Sequence, residues 1–155
     1  MAYADGIRSG NPTMDDVGDL IEGLLVDQAA LDTASAITSS TSSTYVAISD
    51  MDSTVTVASG DYVFITYGLS YSYDGTSVRT GFTLYEDGSA VDTGVTLTSW
   101  AASTNGYTDV VSSALLLTSP ATGSVTYDLR WRIVSGSGTM YATHRNFVVI
   151  PFRAS

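Results

Sequence analysis

Alternation of apolar and polar residues is the feature of this sequence that most limits its fold. Between residues 125 and 134, one set of positions is Val125, Tyr127, Leu129, Trp131 and Ile133, and the positions between them are Thr126, Asp128, Arg130 and Arg132. A second run over 61–73 places Val63, Ile65, Tyr67, Leu69 and Tyr71 at every second position. Successive side chains of a strand point to opposite faces, so each run predicts a strand with one buried face.

Shorter runs of the same kind extend this pattern along most of the chain. Together they predict about eight short strands: 45–50, 54–58, 61–73, 78–86, 91–100, 107–118, 125–134 and 139–150. The pairs Asp74-Gly75 and Asp87-Gly88 and the run Ser135-Gly136-Ser137-Gly138 are typical of turns between strands. We therefore predict a mainly β domain over 45–155, a jelly-roll-like β-sandwich of about eight strands, with Tyr67, Tyr127 and Trp131 in its core.

The first 44 residues follow a different pattern. Residues 1–12 are predicted as an extended arm, 13–32 as a short amphipathic helix, and 33–44, which are mostly Ser and Thr, as a linker. Apolar residues of the helix follow a heptad seam at Met14, Val17, Ile21, Leu24 and Leu31. Gly18 and Gly23 each cost a helix about 1 kcal/mol. The helix therefore needs a second surface, either its own β domain or an oligomer bundle, and Val17, Ile21, Leu24 and Leu31 are candidate contact residues.

The charge balance narrows the range of partners. The chain of 155 residues has 16 Asp and Glu against 6 Lys and Arg, a net charge of −10, and it contains no Lys and no Cys. Nucleic-acid phosphates and anionic membranes would repel it. The N-terminal residues lack the apolar core of a signal peptide, and no apolar run approaches the roughly 18 residues that span a bilayer. We expect a protein that is made soluble in a host cytoplasm.

Residues suited to catalysis or metal binding do not converge in the sequence. His144 is the only histidine and there is no nucleophile-elbow motif. The carboxylate pairs Asp15/Asp16 and Glu86/Asp87 suit a helix start and a turn. Asp50-x-Asp52 resembles part of a calcium loop but lacks the glycine and the distal glutamate. We therefore expect no enzyme, no metal site and no cofactor, with His144 at a surface or interface on the strand face shared with Met140, Ala142 and Asn146.

Arginines and aromatic residues are the better candidates for contacts. Arg130 and Arg132 share one face of a strand with Asp128, where they would form a salt-bridge ladder or bind carboxylates of a neighbouring subunit. Trp100 and Tyr107 fall near predicted strand ends, where aromatic rings stack on sugars or on another protein, and Tyr71 and Tyr73 have similar positions. The alternative is that these rings belong to the core or to the sheet faces.

Three stretches of the sequence carry a family resemblance. They are TYVAISDMDSTVTVASGD over 44–61, LRWRIVSGSG over 129–138 and RNFVVI over 145–150. With the arm, helix and Ser/Thr linker before them, they resemble small virion structural proteins of tailed phages and related viruses, capsid decoration (cement) or fibre-type β-sandwich proteins.

The resemblance implies a function without catalytic residues. It implies a homotrimer on the virion exterior that binds the major capsid protein or another virion component and stabilises the assembled shell, with the arm as a clip. The alternative it implies is a fibre or receptor-binding head protein that binds host surface glycans.

Overall fold

The computed structural model describes residues 30–34, 37–91, 97–100 and 108–153, with the backbone alone at 30–34, 76–77, 97–100 and 108. Within these residues the chain forms eight strands and no helix. The strands are β1 (Ala30–Ala34), β2 (Thr38–Ser40), β3 (Val46–Val57), β4 (Asp61–Glu86), β5 (Ser89–Ala90), β6 (Leu97–Trp100), β7 (Thr108–Leu117) and β8 (Gly123–Arg153).

Two long strands organise the fold. β4 and β8 contain 26 and 31 residues, and they pair antiparallel from Asp61 with Arg153 to Glu86 with Tyr127. β1, β2 and β3 pair with β8, whereas β5, β6 and β7 pair with β4. All described strands therefore belong to one curled antiparallel sheet, and the chain is mainly β as predicted.

The β4–β8 ribbon bends at paired glycines. Gly75 lies opposite Gly138, with φ angles of 127° and 152°. A Cβ at Gly75 would collide with the carbonyl oxygen of Ser137, and one at Gly138 with that of Asp74. The predicted hairpin turns at 74–75 and 135–138 are therefore wrong, because these segments face each other across a continuous ribbon that needs close backbone approach.

The bend divides the sheet into two halves. Half-sheet I has the order β1 and β2, residues 139–153 of β8, residues 61–73 of β4, and β7. Half-sheet II has the order β3, residues 123–135 of β8, residues 78–86 of β4, and then β5 and β6. This connectivity is consistent with the predicted jelly-roll-like sandwich, in which a folded ribbon supplies strands to both layers.

One hydrophobic core lies between the halves. The rings of Tyr71 from half-sheet I and Phe82 from half-sheet II meet edge to face, 5.3 Å apart. The apolar set of each alternating run is buried, and Tyr67, Tyr127 and Trp131 are core residues as predicted. An ion pair of 3.0 Å between Arg145 Nη2 and Asp50 Oδ2 also joins the halves.

The ends of several predicted elements differ from the structure. Residues 30–32, assigned to the end of the helix, form part of β1 and pair with Phe147–Val149 of β8. The predicted linker includes β2, and its first two residues complete β1. The arm and the rest of the predicted helix lie outside the described residues. The strand conformation of residues 30–34 and 38–40 depends on tertiary pairing, because β1 and β2 form hydrogen bonds along the edge of β8.

The predicted strands 45–50 and 54–58 are a single strand. In β3 the register against β8 shifts between Ala47 and Asp52, and Asp50 has a φ of 57°. The predicted turn is thus a bulge, which buries Met51 in the core. The turn at Asp87-Gly88 is confirmed: it joins β4 to β5 with φ angles of 46° and 79°.

Candidate interaction surfaces

The outward face of half-sheet I is apolar at one end. Register places Phe64 between Leu116 of β7 and Ile150 of β8. Tyr62 pairs with Phe152, and their rings stack 5.7 Å apart. With Val148, these six side chains form what we call the apolar face: Tyr62, Phe64, Leu116, Val148, Ile150 and Phe152. They are half-buried except for Leu116, which is 49% exposed.

The rest of this outward surface carries almost no charge. Between Tyr62 and Ser72, the outward positions of β4 are Tyr62, Phe64, Thr66, Gly68, Ser70 and Ser72. On the described part of β7, the outward positions with known exposure are Val110, Ser112, Ala114 and Leu116. A solvated sheet face is normally polar and carries charges, so this face is suited to contact with another protein.

β7 also offers an open strand edge. It pairs with β4 over ten residues, from Ser72 with Thr108 to Val63 with Leu117, and no described strand pairs with its other side. Val110 is 67% exposed, and the one charged residue of β7 is Asp109. Asp109 accepts hydrogen bonds from the Tyr71 hydroxyl and from the Val110 amide. β7 thus lacks the lysines or prolines that usually protect a strand edge from pairing.

The outward face of half-sheet II carries a different surface. Arg130 Cζ lies 4.0 Å from the centre of the Tyr85 ring, and Arg132 Cζ lies 4.6 Å from that of Tyr45. The two tyrosine rings are 6.2 Å apart. Asp128 completes the cluster, and we call these five residues the arginine–tyrosine patch. Each guanidinium is attracted by the electron-rich face of its ring.

Strand register brings the patch together. Tyr85 of β4 lies directly opposite Asp128 of β8 and diagonal to Arg130, whereas Arg132 lies opposite Gly81. A Cβ on Gly81 would lie 3.1 Å from the Tyr45 hydroxyl and 3.0 Å from Val134 Cγ2. Because Gly81 has no side chain, the Tyr45 ring has room to pack over the sheet at this position.

The two arginines of the patch have different partners. Arg130 donates two hydrogen bonds to the carboxylate of Asp128. These bonds are the main reason why the pKa of Arg130 is raised above its usual range. Arg132 forms no ion pair with a described residue, and its buried Nε donates no hydrogen bond to one. Arg130 is therefore neutralised within the chain, whereas Arg132 has the Tyr45 ring and no carboxylate as its partner among the described residues.

The predicted carboxylate pair at the turn, Glu86 and Asp87, has a structural role, whereas Asp15 and Asp16 lie outside the described residues. Glu86 Oε1 accepts hydrogen bonds from the Tyr127 hydroxyl at 2.9 Å and the Ala121 amide at 3.0 Å. Burial, and then the bond to Glu86, raise the pKa of Tyr127, which keeps it a donor. Asp87 Oδ1 accepts from the Thr126 amide. Glu86 also lines a groove of about 380 Å³ with Val91 and residues 115–120.

No group of three or more potential metal-binding side chains occurs among the described residues. These residues also contain no helix of the length and hydropathy needed to cross a membrane.

A bulge corrects the predicted surroundings of His144. Leu69 pairs with Arg145 and Ser70 with Thr143, so His144, with a φ of 44°, is the extra residue. The bulge shifts the alternation of β8 by one position. Met140 and Ala142 are therefore buried, whereas His144 and Asn146 are exposed, so the predicted shared face is wrong.

The structure brings together only some of the predicted contact residues. Arg130 and Arg132 lie on one outward face as predicted, and Tyr45 and Tyr85, which the sequence did not single out, complete the patch. Tyr71 and Tyr73 are core residues. Leu31 lies in β1 opposite Val148, and Trp100 lies in β6 opposite Arg79. Val17, Ile21, Leu24 and Tyr107 lie outside the described residues.

Comparison with known proteins finds similarity of fold only. No protein-family model matches the chain, and no curated protein matches it. One similar solved structure is the C-terminal domain of EclA, a sugar-binding protein, at 12% identity and a TM-score of 0.43, covering 79% of this chain and 81% of that one. Another is VP2 of infectious bursal disease virus in a subviral particle, at 15% identity and a TM-score of 0.47.

The alignment with VP2 covers 80% of this chain and 33% of the VP2 chain, so this chain spans about a third of that protein. A family 35 carbohydrate-binding module from Clostridium thermocellum is similar at 15% identity and a TM-score of 0.36, covering 83% of this chain and all of the module. At these values the similarity transfers neither a ligand nor a partner to this chain.

Proposed function

We propose that this chain is a non-catalytic virion structural protein, a capsid decoration protein that assembles through half-sheet I and stabilises the assembled shell. The observation that carries the proposal is the apolar face, an uncharged outward surface on one side of the sandwich. Burying it against protein would gain about 25 cal/mol for each Å² of apolar area removed from water.

The open edge of β7 adds to this surface. It borders the apolar face at Leu116, so a partner strand pairing with β7 would extend half-sheet I and lie beside the apolar residues. We propose that the partners are further copies of this chain and a capsid protein. The trimer expected from the resemblance to virion proteins is one of the closed cyclic assemblies that such a surface permits. The site of action would be the virion exterior.

A lysine at Leu116 tests the assembly proposal. Leu116→Lys places a charge in the centre of the proposed interface at a position that is already half exposed, so the fold should survive. We expect light scattering to give the mass of an oligomer for the unchanged chain and of a monomer for the variant. Co-sedimentation with assembled shells should be lost in parallel.

The matched control is Val134→Lys, which introduces the same charge at a 36% exposed aliphatic residue of half-sheet II. It should leave both the mass and the co-sedimentation unchanged. An unchanged oligomer mass for Leu116→Lys, or an equal loss for both variants, would contradict the proposal that the apolar face is the interface.

The second candidate function is a receptor-binding head that binds host surface glycans. The arginine–tyrosine patch favours it, because aromatic rings beside charged hydrogen-bonding groups on a flat sheet face are suited to sugars. The patch lies on the half-sheet opposite the apolar face. One molecule can therefore assemble through one side and bind a ligand on the other.

A further inference from the structure

Arg132 differs from three other arginines of the described chain. Arg130 pairs with Asp128, Arg145 with Asp50, and Arg153 with Asp61. Arg132 has the ring of Tyr45 against its guanidinium and no carboxylate within ion-pair distance among the described residues. A guanidinium fixed in orientation on a sheet face is a ready partner for a carboxylate, which it binds through two parallel hydrogen bonds.

Two further polar atoms lie at this surface. Arg132 Nε and Thr83 Oγ1 are buried and form no hydrogen bond with a described residue. Thr83 lies opposite Arg130, on the same outward face as Arg132. Both atoms are shielded from a ligand at the surface. The terminal Nη groups of Arg132 are not among the buried unpaired atoms, and they are the donors that remain for a carboxylate.

Acidic neighbours limit the kind of carboxylate that would fit. Asp52 of β3 lies opposite Asp128, which pairs with Arg130. Together with the net charge of −10, these acids would repel a polyanion such as a strongly acidic peptide. A ligand with one carboxylate among neutral hydroxyl groups fits better, since it brings a single negative charge to Arg132.

We propose that the arginine–tyrosine patch binds an acidic sugar, a uronic or sialic acid unit, whose carboxylate pairs with Arg132. Arg130 and Arg132 are two residues apart on one strand, so their Cα atoms are separated by about 7 Å, roughly the width of one sugar ring. The Tyr45 and Tyr85 side chains border the ring. This inference deepens the second candidate function and does not depend on assembly through half-sheet I.

The test compares an acidic sugar with its neutral counterpart on the full chain. Titration calorimetry with sialyllactose and with lactose should give at least about tenfold tighter binding of sialyllactose, as charge-assisted hydrogen bonds require. Glucuronic acid and glucose, each as the methyl glycoside, provide a second matched pair. Arg132→Gln should remove the preference for the acidic member of both pairs.

Two further variants make the result specific. Arg153→Gln changes the net charge equally, at an exposed residue of half-sheet I, and should keep the preference. Gly81→Ala keeps every charge but places a Cβ against Tyr45 and Val134. It should weaken binding of the acidic sugar several-fold by displacing Tyr45. Thermal midpoints of all variants show whether each is folded.

The possible failures are distinguishable. Equal affinity for acidic and neutral sugars would overturn the role of Arg132 and leave the receptor-binding function standing. No affinity for any of the four sugars would overturn both. Binding of polyglutamate in preference to the sugars would show that the patch takes an acidic polypeptide, and would likewise overturn the inference.

Discussion

A carboxylate holds the bend at which β4 and β8 pass from one half-sheet to the other. Asp74 Oδ1 accepts a hydrogen bond of 2.7 Å from the Thr139 amide, and its Oδ2 accepts one of 2.9 Å from the Tyr141 hydroxyl. These bonds, the backbone bond first, hold the pKa of Asp74 below its ordinary value of 3.8. The bonds lie beside Gly75 and Gly138, so Asp74 links the two strands where their backbones approach most closely at the paired glycines.

The lowered pKa predicts a pH-dependent contribution of Asp74 to stability. A carboxyl whose pKa is depressed by folding stabilises the folded state above its unfolded pKa, and this contribution is lost as the pH falls through the folded pKa. Asp74→Asn should therefore lower the thermal midpoint at pH 7, and the difference from the unchanged chain should shrink towards pH 3. Tyr141→Phe removes one donor and should have a smaller effect. A difference independent of pH would show that the charge has no part in it.

The strands show how far local sequence determines this fold. Alternation correctly identified the buried side of β4 and of the first part of β8, because successive side chains of a pleated strand point to opposite faces of the sheet. It could not distinguish a hairpin from a bent ribbon at Asp74-Gly75, since both need glycine in an unusual conformation. The difference lies in Gly138, 63 positions further along the sequence, which only the long-range register of β4 on β8 brings opposite Gly75.

The contact surfaces depend on the same register. Arg130 and Arg132 were identified because they are two residues apart in one strand. Tyr45 reaches the two arginines from the position just before β3, and Tyr85 reaches them from β4. No local sequence pattern connects these tyrosines with the arginines. At His144 a single extra residue reversed the predicted faces, and local sequence gives no reliable signal for such a bulge.

The open edge of β7 predicts a distinct pattern of hydrogen exchange. In an antiparallel pair, alternate amides point towards the partner strand and the others point away. In a monomeric chain, such as Leu116→Lys, alternate amides of Thr108–Leu117 should exchange fast and the rest slowly, as NMR would show. In the assembled protein all of them should be protected. An alternating pattern that persists in the oligomer would exclude strand pairing at β7 and leave the apolar face as the sole contact.

At the scale of the whole molecule, the outward faces of the two half-sheets have different chemistry. The outward face of half-sheet I carries almost no charge, is apolar at one end, and borders the open edge of β7. Half-sheet II has paired arginines and tyrosines, with Tyr45 packed over Gly81. A subunit built in this way can use one side for assembly and present the other to solvent. The remaining question at this scale is whether the N-terminal residues or the β domain carry the proposed oligomer.

Two N-terminal truncations, one that keeps β1 and β2 and one that removes them, distinguish these two possibilities. A chain beginning at Ala30 keeps both strands, whereas one beginning at Thr44 removes them and leaves residues 140–142 and 145–149 of β8 unpaired on the side away from β4. The shorter chain should lose at least about 2 kcal/mol of its free energy of unfolding in urea, since each hydrogen bond contributes about 0.5–1.5 kcal/mol. It should also aggregate through the newly exposed edge.

The chain beginning at Ala30 should keep the stability and oligomer mass of the full-length protein, because the apolar face and β7 are intact. A fall to monomer mass with stability unchanged would instead assign assembly to the heptad seam that contains Val17, Ile21 and Leu24. That outcome would favour a fibre-type protein over a decoration protein. The arginine–tyrosine patch would keep its predicted ligand in either case, since none of its residues precedes Tyr45.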